Sequence, residues 1–202
     1  MTNSPEGSAA LGPILPPIQS ALRAAWRDLE ALPNSILADM SARTRAGFLH
    51  DRILVHIRRS LDGEPGVTFL RGRGGLTLLA FNQRFLIRFK KLRSDLRTSN
   101  IPTQQSLAFA HQQTLDLPGM PPRLTNLNAG YVLNRMQTAI ASTHITCPAG
   151  KEVAWEIPLT TDATAAEVVA FTSPQADNRT TSRVRSRSEG EKEHATRNGG
   201  TP

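Results

Sequence analysis

The sequence predicts an α+β fold, with two N-terminal helices packed on one face of an antiparallel sheet of five or six strands. Helical spacing of apolar residues within 18–61 and strand-like patterns within 67–92 and 127–159 lead to this class. Beyond Thr172 almost no apolar residue remains, which favours a disordered C-terminal tail. The predicted organisation is a flexible segment at 1–15, one domain at 16–162 and a polar tail at 163–202.

The N-terminal part predicts two amphipathic helices. Ile18, Leu22 and Leu29 recur at helical spacing, and this helix should end near Leu32, ahead of a proline. A second helix is expected at 36–61, because Asn34 or Ser35 can cap it and a glycine follows it.

The strand patterns begin with a short strand at 67–70 and a hairpin formed by 76–81 and 84–90. Its turn is expected at Asn82 and Gln83, with two residues or more. A polar loop with a short helix at 103–113 follows. Three further strands, at 127–133, 138–147 and 152–159, read as a meander.

Positive charge is concentrated around the second hairpin strand. Residues 71–97 contain eight basic side chains and one acidic one, so their net charge equals the +7 of the whole chain. Because side chains alternate along a strand, Arg84, Arg88 and Lys90 are expected on a solvated face, with Phe85 and Phe89 in the core.

Localised positive charge is typical of a protein that binds an anionic partner. We expect phosphate contacts with DNA or RNA from six side chains. These are Arg84, Arg88, Lys90, Lys91, Arg93 and Arg97. Two alternatives remain open: the charge protects an exposed sheet edge, or it docks an acidic protein surface as an antitoxin-like or phage-defence partner.

Motifs for catalysis, metal binding or a cofactor are lacking, so no such site is predicted. His50 and His56 are six residues apart and therefore on different helix faces. Cys147 is expected to be a small buried hydrophobe, and scattered acids make a nuclease the weakest alternative. The R-G-R-G-G segment at 71–75 reads as a tight turn or as an RNA-binding element.

The single cysteine excludes an internal disulfide, and the first residues lack a basic and apolar leader. A soluble cytoplasmic protein without membrane contact is therefore expected.

Four segments carry a resemblance: RFLIRFKKLRSDLRTSNIPTQQ, LDLPGMPP, NAGYVLN and CPAGKEVAWEIPL. Over about residues 45–160 the chain resembles a family of bacterial proteins of uncharacterised function, associated with mobile elements and with genes for a helix-turn-helix regulator and a zinc metallopeptidase. The resemblance implies a toxin–antitoxin, phage-defence or regulatory setting and brings no catalytic residues.

Overall fold

The computed structural model describes residues 4–71, 76–99, 103–115, 117, 119, 121 and 123–159. Its helices are α1 (Ser4–Leu11), which continues through a 3-10 turn (Gly12–Ile14) into α2 (Leu15–Glu30), then α3 (Asn34–Asp39), α4 (Ala42–Leu61) and α5 (Gln104–Ala110). The predicted glycine turn at 72–75 and the predicted tail at 163–202 lie outside the described residues.

Six strands form one sheet in chain order. They are β1 (Val67–Arg71), β2 (Thr77–Phe81), β3 (Phe85–Leu92), β4 (Thr125–Leu133), β5 (Ile140–Ala149) and β6 (Glu152–Pro158). The α+β class is confirmed, but the sheet is mixed, because β3 and β4 are parallel while every other pair is antiparallel. The long connection that contains α5 returns the chain to the starting end of β3, as a parallel pair requires.

Residues 4–14, for which the sequence predicts a flexible segment, form α1 and the 3-10 turn instead. Leu11 and Ile14 are buried in the same core as Ile18 of α2. Prolines at 13, 16 and 17 are compatible with this path, because they lie in the first turns of the 3-10 segment and of α2.

The single helix predicted at 36–61 is two helices. Met40 has an extended backbone, and Ser41 begins α4 as its N-cap, with its hydroxyl oxygen accepting a hydrogen bond from the Thr44 amide at 3.1 Å. Buried residues then recur every fourth position along α4, at Leu49, Ile53, Ile57 and Leu61.

The sheet has two differently covered sides. We call the side that bears Phe85, Ile87 and Phe89 the helix face, because α2 and α4 pack there. The opposite side, the far face, bears Leu86 and is partly covered by Phe109 of α5. Helices therefore lie on both faces rather than one. Within the described ranges, no helix combines the length and apolarity needed to cross a membrane.

Candidate functional site

The six predicted binding residues do not share one surface. Arg84 lies in the turn before β3, at the opposite end of that strand from Lys90. Its guanidinium is 2.8 Å from the Glu6 carboxylate of α1. Arg84 is thus separated from the other basic residues and already paired.

Arg88 is buried on the far face, with only 4% of its surface exposed, so the expected solvated strand face is wrong at this position. Its Nε donates to Asn128 Oδ1 at 2.7 Å, and its guanidinium lies 4.3 Å from the Phe109 ring. Burial lowers the pKa of Arg88 to about 10, which still leaves it charged at neutral pH. It cannot reach a phosphate outside the protein.

Arg97 is exposed but forms an ion pair with an acidic residue. Its guanidinium donates to Asp95 Oδ2 at 2.6 and 2.9 Å, and it also donates to the Lys151 carbonyl at 3.1 Å. The Asp95 carboxylate raises the pKa of Arg97, and the hydrogen bond from Arg97 is the main reason that the pKa of Asp95 is lowered. Arg97 also lines a separate 260 Å³ depression beside α5.

The remaining three predicted residues meet in a groove on the helix face. Lys90, Lys91 and Arg93, from the end of β3 and just beyond it, line a cavity of about 560 Å³ together with Arg43 and His50 of α4. Arg43, Gly47 and His50 are four and three residues apart, so they follow one face of α4. We call this cavity, with its five basic side chains, the basic groove.

No carboxylate is among the described residues that line the basic groove. Carboxylates beside the groove compensate in part: Arg93 Nε lies 3.6 Å from Asp95 Oδ2, a carboxylate that also binds Arg97, and the charge of Asp51 acts on His50. Burial, and then the charge of Arg88, lower the pKa of Lys90. An anion in the groove would offset this crowding of like charges.

The pKa of His50 is also affected by burial and by the charge of Lys90. Burial is the largest cause of its lowered pKa, and the charge of Lys90 comes second, while the charge of Asp51 and then a hydrogen bond to the Phe89 backbone act in the opposite direction. Sequence reasoning considered His50 only as a metal ligand and missed its position in the groove. The position of β3 next to α4 was the missing information.

A second cavity adjoins the basic groove. This apolar pocket, of about 600 Å³, is lined by residues from α2, α3, α4 and β4, among them Trp26, Leu37 and Leu49. Ala46, Lys91 and Tyr131 line both cavities. The Tyr131 side chain is buried between them, and burial raises its pKa to about 12.

The far face carries a row of polar residues across four strands. Arg88, Asn128, Thr146 and Glu156 are successive register partners on β3, β4, β5 and β6, and all are buried. The Thr146 hydroxyl has no hydrogen-bond partner among the described residues.

His144 joins the end of this row. Its Nε2 lies 2.8 Å from Ser142 Oγ, and its Nδ1 lies 2.9 Å from Glu156 Oε2 without hydrogen-bond geometry. Burial lowers the pKa of His144 more than the Glu156 charge raises it. Serine, histidine and carboxylate in this order resemble an acyl-transfer triad, but neither Ser142 nor His144 lines any of the three cavities above. We therefore interpret the cluster as part of the buried polar row.

His56 and Cys147, which were also considered for chemistry, lie outside the basic groove. His56 Nε2 lies 2.7 Å from Asp28 Oδ2, a carboxylate that also binds Arg52 and so links α2 to α4. Cys147 is fully buried in the helix-face core, as predicted, and burial raises its thiol pKa to about 12.

No family model, curated protein or solved structure matches this chain. The basic groove and the pocket beside it are therefore the structural basis for a functional proposal.

Proposed function

We propose that the protein binds nucleic acid through the basic groove, as a non-enzymatic accessory or regulatory protein. The observation that supports this most is a groove with four cationic side chains, a histidine and no carboxylate among the described residues that line it. Lysine and arginine contacts to phosphates release condensed counterions, and this release dominates the affinity of most nucleic-acid-binding proteins.

The residues proposed to contact phosphates differ from those expected from the sequence. Lys91 and Arg93 are exposed and Lys90 is half-buried, so these three side chains are the accessible part of the predicted set. Arg43, exposed on α4, extends the positive surface across the groove. Arg84, Arg88 and Arg97 contribute long-range attraction at most, because each is paired or buried.

The test is a salt titration of binding to labelled single-stranded and duplex DNA and to RNA. The groove variant Arg43→Gln/Lys91→Gln/Arg93→Gln removes three exposed charges. We expect weaker binding to all sequences and a slope of log K against log salt that falls by about 2 for single strands and about 3 for duplex DNA.

The matched control removes the same charge elsewhere. Arg27→Gln/Arg59→Gln/Arg123→Gln changes three exposed arginines outside the groove, so only a small, nonspecific loss is expected. Equal losses in the two triple variants would refute a localised site. No binding at low salt by the wild-type protein would refute the function and favour the alternative, an acidic protein partner. The toxin–antitoxin or phage-defence setting stays a prediction.

A further inference from the structure

The apolar pocket has the dimensions and lining of a small-molecule site. Its volume of about 600 Å³ lies inside the range of about 300–1,000 Å³ that is usual for ligand pockets. Leu29, Leu37, Met40, Leu49 and Leu133 give it a largely aliphatic wall. Such a wall suits a flexible hydrocarbon better than a polar ring that must be hydrogen-bonded at its edge.

The pocket also has polar lining residues, and one of them, Lys91, is shared with the basic groove. Lys91, shared with the groove, is exposed and donates to Gln137 Oε1 at 3.0 Å. Glu30, the carboxylate among the described lining residues, is exposed and accepts a hydrogen bond from Trp26 at 2.7 Å. Arg45 Nε is buried without a hydrogen bond, although its Nη2 donates to the Leu37 carbonyl at 2.8 Å.

The apolar pocket shares a wall with the cationic basic groove. Together they are complementary to a molecule that has an apolar chain and an anionic headgroup. We propose that the pocket binds a free single-chain anionic amphiphile, with its alkyl chain among the leucines and its headgroup at Lys91. The shared lining residues Ala46, Lys91 and Tyr131 place the two halves of such a ligand in contact. This binding activity goes beyond the proposed function and does not depend on it.

The experiment measures binding of straight-chain carboxylates of six, eight, ten and twelve carbons by calorimetry, each below its micelle concentration. Each added methylene should tighten binding about fourfold until the pocket is full, the factor that corresponds to about 0.8 kcal/mol per buried CH₂. Alcohols of the same lengths should show the same chain dependence with lower affinity at every length.

Two variants separate the headgroup from the chain. Lys91→Gln should weaken carboxylate binding about fivefold and leave alcohol binding unchanged. Ala42→Phe adds a ring at an exposed position that lines the pocket, so it should abolish binding of the longer chains of both series. Lys151→Gln and Ala141→Phe make the same changes at exposed positions that do not line the pocket and should bind as the wild type does.

Three results would overturn the proposal. They are affinity independent of chain length, unchanged binding by Ala42→Phe with an unaltered unfolding midpoint, and binding only to anionic vesicles, which would assign the surface to a membrane. If the wild-type protein does not bind nucleic acid but its affinity for carboxylates still rises with chain length, only the proposed function is refuted.

Discussion

β3 carries basic side chains in its middle and at its end, and these two parts differ in burial. At its end, Lys90 and Lys91 line the basic groove, with Arg93 just beyond them. In its middle, Arg88 is buried under Phe109 and bound to Asn128. The difference teaches that a run of basic residues does not define one surface, because adjacent cations can be buried in the fold or exposed in a groove.

The physical distinction is solvation. Burying a charge is costly unless hydrogen bonds and polarisable groups replace water, and Arg88 has an amide oxygen and an aromatic ring for this purpose. Lys91 and Arg93 are exposed and keep most of their water, and Asp95, the acid near Arg93, is shared with Arg97. Substitutions at Arg88 and at the groove cations, with stability and nucleic-acid binding measured for each, test this difference.

The largest expected effect is on stability at Arg88. Arg88→Ala should lower the free energy of unfolding by about 3 kcal/mol, because it leaves a cavity and removes the partner of the buried Asn128 amide. Arg88→Met, which keeps the volume, should cost less. Urea denaturation checks both, and Lys91→Ala should stay within about 0.5 kcal/mol of the wild type. Arg88→Met should also bind nucleic acid with an unchanged salt slope. A reduced slope would mean that Arg88 contacts phosphate.

A smaller effect concerns pH and the far-face cluster. Because burial lowers the folded-state pKa of His144, the unfolded chain takes up its proton first as the pH falls below about 6.5. Stability should therefore be fully present above that pH and decrease below it, towards the lower folded-state pKa. His50 acts in the same direction.

Thermal unfolding midpoints at pH 7.5 and 5.5 provide the measurement. The loss of stability between these values should be smaller in His144→Gln than in the wild type, and smaller again in the double variant with His50→Gln. His111→Gln changes an exposed histidine at the end of α5 and is the control. An unchanged pH dependence in the double variant would contradict the role of burial.

The smallest effect should come from removing the carboxylate that pairs with Arg93 and Arg97 beside the groove. Asp95→Asn removes the carboxylate that Arg97 binds and that Arg93 approaches, so nucleic-acid binding should tighten about twofold. Glu64→Gln, at an exposed acid after α4, should leave affinity unchanged. Competition binding at low salt resolves the difference. Weaker binding by Asp95→Asn would show that the loop needs its ion pairs to present Arg93.

Local patterns predicted much of the secondary structure. The hairpin was found because an apolar run at 76–81 and an alternating pattern at 84–90 flank Asn82 and Gln83, which both adopt positive φ in a three-residue turn. The break before α4 was missed although Ser41 is a standard capping residue, since the apolar spacing continues across it. The N-terminal helix was missed because Pro, Gly and Ser concealed the burial of Leu11 and Ile14.

The groove was only half predictable. Lys90, Lys91 and Arg93 could be chosen from charge, but Arg43 and His50 could not, because they reach the same cavity only through the packing of α4 against the sheet. Likewise, the polar row needs a register shift between β5 and β6 at Cys147 and Pro148, which pairs Glu156 with Thr146. A plain hairpin register would pair Glu156 with the core residue Ile145.

By itself, the sequence determined the α+β class, the hairpin, most strand positions and the concentration of charge near β3, because these depend on residues close together in the chain. The tertiary structure alone decided the parallel pairing of β3 and β4, the burial of Arg88 and the shared wall of the basic groove and apolar pocket. These features depend on which distant segments become neighbours, and those neighbours, rather than residue type, then set whether a charged side chain is buried or exposed.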